Sequence, residues 1–316
     1  MHEEMSNMGE LAGIHSIDHF GLVVPDLRVA TEFFWAFGLD VVEIPGSNLE
    51  LRAGGTQRCW ARIFPGWSRT LAYIAFRCFQ EDFERICTQI VRAGGTPATP
   101  FPEAPPDGYW FRDIVGNLVQ LRQGPIDAPV KLDRGVVSTA LKRDDVARNV
   151  LIRSETREVQ PLRLSHVMLF VPRMEAVMAF YVQGLGMRIT DSADGLVGYM
   201  HAMHGSDHHI VAFAASSATG WHHSSWEVPD MDDVGSGATQ MRAAGFCDGW
   251  GVGRHILGSN YFYYARDPWG SFCEYAAHID YIPAGVDWKE RTHGRDEILY
   301  IWGPDSPSDF TVNSEV

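Results

Sequence analysis

The stretch Gly251-Val-Gly-Arg-His-Ile-Leu-Gly-Ser-Asn-Tyr-Phe-Tyr-Tyr-Ala-Arg-Asp-Pro-Trp-Gly-Ser-Phe-Cys-Glu-Tyr275 decides how this 316-residue chain reads. It predicts a glycine-rich loop, an aromatic strand, a tight turn at Asp267-Pro268-Trp269-Gly270 and a second strand carrying Glu274. Aromatic runs bounded by Gly and Asp-Pro turns are strand signals. Side chains alternate along a strand, so Phe272 and Glu274 share one face and Cys273 and Tyr275 the other. A carboxylate turned inward on such a hairpin is costly unless a metal or an ion pair meets it.

Working outward, the same pattern recurs. Asp113-Ile-Val-Gly-Asn-Leu-Val-Gln120 matches Asp267-Pro-Trp-Gly-Ser-Phe-Cys-Glu274 in spacing and turn chemistry. Ile17-Asp-His-Phe-Gly-Leu-Val-Val24 resembles Leu164-Ser-His-Val-Met-Leu-Phe-Val171. Each is followed by Pro, a short amphipathic helix ending in aromatics, and Gly-Leu. Each half also repeats internally: His166 opens one unit and His223 the next, with Tyr73 as the first-half counterpart of His223. The unit is strand, helix and about three strands, used four times, an internal repeat that sets the architecture. The expected fold is α+β, two tandem domains of paired βαβββ units, each forming an open barrel-like sheet. The expected boundaries are 1–125 for a metal-free N-terminal domain, 126–160 for a connector, 161–282 for a C-terminal metal domain, and 283–316 for a tail packing on the body. The end of that tail, from Ser306, is expected to fray.

Composition narrows the function classes. A formal charge of −14 argues against nucleic acid or an anionic membrane as the main partner. No apolar run approaches the ~20 residues of a membrane span. Five cysteines without a CxxC pair suit a reducing compartment, and the acidic N-terminus lacks signal-peptide features, so a cytoplasmic protein is expected.

Repeat logic lines up His166 and His223 on the first strands of paired units with Glu274 on the last strand. Two imidazoles and a carboxylate on one face suit a divalent first-row metal with open positions. A lone strand histidine is more often structural; two at equivalent positions beside an inward Glu reverse that reading. Alternation lets only one of His222 and His223 point inward, and the register shared with His166 selects His223. His222→Ala is accordingly expected to be mild. His209, His255 and Tyr264 lie on neighbouring segments, and His208 competes with His209 if its strand faces the other way. The first-half counterparts His19, Tyr73 and Gln120 lack an anionic ligand, which disfavours a second metal site. Trp221, Met200, Met203, Phe213 and Ile256 are candidate pocket residues.

The four-unit layout resembles the vicinal oxygen chelate superfamily. Within it, Gly253-Arg254-His255, Tyr264, Asp267-Pro268-x-Gly270 and Glu274 resemble the type I extradiol ring-cleavage dioxygenases, such as catechol 2,3-dioxygenases and dihydroxybiphenyl dioxygenases. The resemblance implies Fe(II), or Mn(II), on His166, His223 and Glu274. It implies His209 as the acid–base group, with His255 and Tyr264 contacting the substrate oxygen. The implied partners are a catecholic diol and O2, the product a hydroxymuconic-semialdehyde-type compound, and the assembly a homo-oligomer. Two rivals carry different expectations: a glyoxalase-like isomerase needs more protein ligands from both halves, and a binding module needs no complete metal set.

Overall fold

In the computed structural model, which describes residues 11–127, 157–193, 195–294 and 297–315, the element order follows the repeat. The first half contains β1 (Ser16–Val24), α1 (Leu27–Ala36), β2 (Asp40–Ile44), β3 (Asn48–Arg52), β4 (Cys59–Pro65), β5 (Thr70–Cys78), α2 (Phe83–Arg92), β6 (Thr96–Pro97), β7 (Tyr109–Arg112) and β8 (Leu118–Gln123). The second half opens with β9 (Arg163–Val171), α3 (Met174–Leu185), β10 (Arg188–Ala193), β11 (Val197–His201), β12 (Ser206–Asp207) and β13 (Val211–Ala215). It continues through β14 (Gly220–Glu227), α4 (Met231–Ala243), β15 (Gly249–Arg254), β16 (Tyr261–Arg266), β17 (Phe272–Ala277), β18 (Tyr281–Ile282) and β19 (Arg291–Thr292).

The strands form two sheets of the same plan. The first runs β2-β3-β4-β1-β5-β8-β7-β6, and the second runs β15-β16-β17-β14-β9-β13-β11-β10-β19. At each centre the opening strands of the two units pair antiparallel, β1 with β5 and β9 with β14. Each is flanked by a parallel partner, β4 and β8 in one sheet, β13 and β17 in the other. The register makes the repeat quantitative. Ser225 lies opposite both His166 and Glu274, and Ala75 lies opposite both His19 and Gln120. His223 and Tyr73 each sit two residues earlier on their strands, so the three central strands carry equivalent positions.

Helices cover one side of the sheets and join the halves. Asp26 and Asp230 cap α1 and α4 by accepting the N–H groups of the first turn, which leaves fewer orphan donors there. Phe37, just past α1, stacks on Tyr275 with ring centroids 3.8 Å apart, and Phe33 meets Phe246 edge-on. Gly237 on α4 is required by this packing, because a Cβ there would lie 2.7 Å from the Tyr275 ring.

Two expectations change. Gly251-Val-Gly-Arg254 is not a loop: it lies in β15, paired with β16 across a bulge. The tail does not fray at Ser306, because Phe310 and Asn313 are buried and Arg69 binds Glu315 and Ser314. Its apolar island returns to the body as expected, with Trp302 bridging Arg254. The connector at 126–160 falls mostly, over 128–156, outside the described residues.

Candidate active site and metal centre

β9, β14 and β17 lie side by side, so His166, His223 and Glu274 project from one face of adjacent strands. Their donor atoms converge: His166 Nε2 is 3.3 Å from Glu274 Oε2 and 3.3 Å from His223 Nε2. His223 Nε2 is 3.7 Å from the same carboxylate oxygen. Donors held by one first-row cation at about 2.1 Å along perpendicular directions lie about 3 Å apart, so these edges suit a facial ligand set. Glu274 is fully buried, and its Oε2 has no hydrogen-bond partner. An orphaned buried carboxylate oxygen between two imidazole nitrogens is a group that a cation would satisfy. Among the described residues this is the one group of three such side chains close enough to share an ion.

The supports of each donor set its orientation. Glu274 Oε1 accepts from Asn260 Nδ2 at 3.1 Å, and burial, which would raise its pKa, is outweighed by the imidazoles of His166 and His255, leaving the group well below the usual carboxylate range. His166 Nδ1 lies 3.3 Å from Ser165 Oγ, which donates to Asp207 at 3.0 Å; Arg163 holds Asp207 in turn. His223 Nδ1 meets His222 Nδ1 at 2.8 Å, and His222 also donates to the Phe310 carbonyl. A metal on His223 Nε2 would place that ring's hydrogen on Nδ1, and His222 Nδ1 would then be its acceptor.

This arrangement overturns the alternation argument for His222. The pairing of β14 with β9 slips between Trp221 and His223, so His222 sits in a bulge and both rings lie at the cavity. His222 packs between Phe170 and Phe310 and is pushed down to about 4 by burial. Its sequence signal, a His-His pair, gives no hint of the bulge. Asn260 was likewise missed; it lies in an ordinary Gly-Ser-Asn-Tyr stretch.

Above the three donors is a cavity of about 230 Å³. His209 lines it and its ring centroid lies 4.0 Å from that of His166, whereas His208 turns away to Asp191, so of the two it is His209 that faces the donors. His208 and His209 lie between β12 and β13 and not within a strand. Burial, reinforced by the imidazoles of His166 and His208, holds His209 well below its usual range and so neutral. Across the cavity, Tyr264 Oη lies 2.9 Å from His255 Nε2, and His255 Nδ1 donates to the Leu299 carbonyl. Burial, with Glu274 beside it, raises the Tyr264 phenol well above its usual range, so it remains a proton donor.

The remaining walls are mostly apolar, with Ala212, Ala214 and Leu257 from the body and Ile298, Leu299 and Phe310 from the tail, and Tyr199, Asn260 and Thr311 add polar groups. Among the described residues no Lys or Arg lines the cavity. None of the five expected pocket residues contributes. On β13, Val211 and Phe213 face the core cluster, while Ala212 and Ala214 face the cavity, because alternation puts the small side chains on that side.

The equivalent place in the first half is closed by protein. His19 Nδ1 binds Asp18 at 2.7 Å and its Nε2 meets Tyr73 Oη at 2.9 Å. Gln120 donates to the carbonyls of Pro105 and Asp107. Gly21 makes room for the phenol, since a Cβ there would lie 2.5 Å from the Tyr73 ring.

The comparisons with known proteins agree with this geometry. Residues 163–275 match the Glyoxalase/Bleomycin resistance protein/Dioxygenase superfamily. Metapyrocatechase 2 of Cupriavidus necator is 47% identical over 302 residues, 96% of this chain and 93% of that protein. Biphenyl-2,3-diol 1,2-dioxygenase of Paraburkholderia xenovorans (strain LB400) is 28% identical over 161 residues, 46% of this chain and 49% of that protein. In fold, the chain matches homoprotocatechuate 2,3-dioxygenase from Brevibacterium fuscum with a TM-score of 0.76 at 18% identity, over 96% of this chain and 93% of that one. It matches a Mn(II)-bound glyoxalase from Novosphingobium aromaticivorans with a TM-score of 0.75 at 22% identity, over 94% of each chain. The chain belongs to the vicinal oxygen chelate superfamily and, within it, to the extradiol ring-cleavage dioxygenases.

Proposed function

We propose that the protein cleaves a neutral, single-ring catechol next to its diol with O2, using Fe(II) held by His166, His223 and Glu274, and yields a hydroxymuconic-semialdehyde-type product. The observation that carries this is the unpartnered Glu274 oxygen between two imidazole nitrogens, at the floor of a small apolar cavity that also holds His209, Tyr264 and His255. When bound, the iron supplies Lewis acidity toward a diol hydroxyl and the one-electron chemistry that O2 requires; Mn(II) suits the same ligands.

The side chains supply the rest. The apolar walls exclude water and hold the ring with its diol turned toward the three donors, which is catalysis by position. His209, neutral and facing the cavity, takes a proton at the nitrogen turned to the substrate and returns it as the ring opens. Tyr264 and His255, paired with each other and anchored by the Leu299 carbonyl, form the polar wall that hydrogen-bonds a substrate oxygen. The absence of Lys and Arg from the described walls favours an uncharged ring, since a carboxylate there would be buried unpaired by them. A volume of about 230 Å³ is small beside the ~300–1,000 Å³ of drug-sized pockets and favours a single ring.

The first half acts as a metal-free scaffold, and the domain limits are 1–125 and 161–282. Closure of its His19–Tyr73–Gln120 set by internal hydrogen bonds also counts against an isomerase drawing ligands from both halves. No helix among the described residues is long and apolar enough to cross a membrane, and all five cysteines are free thiols. These support a cytoplasmic setting; a homo-oligomer is the expected assembly, read by light scattering.

The test is O2 uptake after anaerobic loading with Fe(II), using catechol, 4-methylcatechol and 3,4-dihydroxyphenylacetate. Stoichiometric uptake with a yellow product from the first two, and a much higher KM for the third, is the expected result. No uptake with any diol, despite one tightly bound metal per chain, would move the assignment to an isomerase.

A further inference from the structure

The His-His pair at 208–209 has a second member with its own partners. His208 is 1% exposed and faces away from the cavity. Its Nε2 lies 2.8 Å from Asp191 Oδ2, and its Nδ1 lies 3.1 Å from His209 Nδ1. Its backbone is held at both ends: the N–H donates to Asp280 O at 2.6 Å, and the carbonyl accepts from Thr190 Oγ1 at 2.7 Å. Asp191 is itself buried, and its other oxygen accepts the Arg291 backbone N–H at 3.0 Å. Trp288 closes the outside of the His208 ring edge-on.

The order of donors along this chain follows from what each group is able to do. A carboxylate only accepts, so His208 Nε2 carries the hydrogen. In the neutral ring that leaves Nδ1 of His208 as an acceptor, and His209 Nδ1 must then donate to it. The proton on His209 is therefore committed to Nδ1, and its Nε2 lone pair is the one left for the cavity.

We propose that Asp191 and His208 are positioning residues that fix His209 in its Nδ1–H tautomer and so present a bare Nε2 to the substrate. The inference rests on the reading of His209 as the acid–base group. Neither residue touches the cavity, so each acts only through His209. Because Arg291 N–H pins Oδ1 of residue 191, an Asn there would turn its amide NH2 toward His208. His208 would then carry its hydrogen on Nδ1, and His209 would present Nε2–H to the cavity.

The experiment is nitrogen NMR of the full chain labelled with ¹⁵N-histidine and loaded with Zn(II), which keeps the site diamagnetic. The wild type is expected to show Nδ1 of His209 protonated and Nε2 bare, and Asp191→Asn to show the reverse. Turnover of the Fe(II) protein is expected to fall by about 10–100-fold in kcat, the range for losing such a partner, with metal content and KM little changed. His208→Asn, whose amide oxygen takes the place of Nδ1 as acceptor, is expected to keep the wild-type tautomer and most activity, whereas His208→Phe loses both. A bare Nδ1 on His209 in the wild type, or an unchanged tautomer in Asp191→Asn, overturns the proposal. The expected tautomers in a protein that consumes no O2 with any diol would instead leave the positioning intact and remove the dioxygenase reading.

Discussion

Glu274 shows how one buried charge organises a site. Its two oxygens have different fates: Oε1 is held by Asn260, while Oε2 is aimed, unpartnered, at two imidazole nitrogens. Removing one donor from such a set leaves a buried carboxylate uncompensated. His223→Ala is therefore expected to lose bound metal and all turnover, measured by metal analysis and O2 uptake. His222→Ala is expected to weaken metal binding by about 10–100-fold, as for other groups that orient a ligand, and competition with a chelator reads it. A wild-type affinity in that variant would show that the bulge does not set the His223 tautomer. His209→Asn is expected to keep its metal and lose about 10²–10⁴ in kcat. These roles were unequally legible. The three candidate ligands follow from residue type at equivalent repeat positions. His222 and Asn260 do not, because their roles depend on a register slip and a loop contact that no periodicity encodes.

At the level of elements, the two halves put the same three strands to different uses. In the second half the central strands bring three donor atoms together; in the first His19 pairs with Tyr73, and Gln120 turns its amide to the carbonyls of Pro105 and Asp107. Asp18 on β1 is the extreme case. It is fully buried and contacts His19, Arg58, Arg77 and Arg122, whose combined attraction outweighs burial and keeps its carboxyl far below the usual range. Three guanidinium groups from three different strands or loops thus converge on a single carboxylate. Asp18→Asn is expected to cost about 3–5 kcal/mol of stability, the range for breaking a buried ion pair from one side, read by urea denaturation. A loss below 1 kcal/mol would mean that the cluster relaxes around the amide. The strand pattern itself was plain in the sequence, since long apolar runs after turn residues have few other solutions. β15 was mistaken for a loop because its glycines, which read as turn signals, serve close packing: a Cβ at Gly249 or Gly253 would lie 2.1 Å or 2.5 Å from β16.

Across the whole molecule, the tail ties the halves to the cavity. Arg69 leaves the turn between β4 and β5, binds Glu315 and Ser314, and donates to the Trp221 carbonyl beside the ligand strand's histidines. The tail so held supplies Ile298, Leu299 and Phe310 to the cavity wall. Arg69→Ala is expected to raise KM for catechol by about tenfold, from the loss of charge-assisted hydrogen bonds, with metal content unchanged. An unaltered KM would show that the tail holds its place without that contact. Acid stability also belongs to this scale. Burial pushes His201 down to about 4, so the folded chain keeps it neutral where the unfolded chain, with an ordinary value near 6.5, takes a proton. That contribution is complete above about pH 6.5 and is lost as the pH falls toward 4. The melting temperature should drop between pH 7 and pH 5, and less steeply in His201→Gln; parallel profiles would show that other groups carry the acid loss.

The amino-acid sequence alone determined the fourfold repeat, the α+β fold class and the candidate set His166, His223, Glu274, His209, His255 and Tyr264. Repeat position and residue type are properties of order along the chain, and alternation converts them into faces. The tertiary structure alone decided that His209 and not His208 meets the cavity, and that His222 supports His223 through a bulge. It also decided that alanines and the returning tail help to wall the cavity, where the sequence had pointed to Trp221, Met200, Met203, Phe213 and Ile256. Of the expected residues, Trp221, Met200 and Phe213 went into the core, because a cavity forms where small side chains leave space. Which groups flank that space depends on register slips and long-range contacts, and neither is written in local pattern.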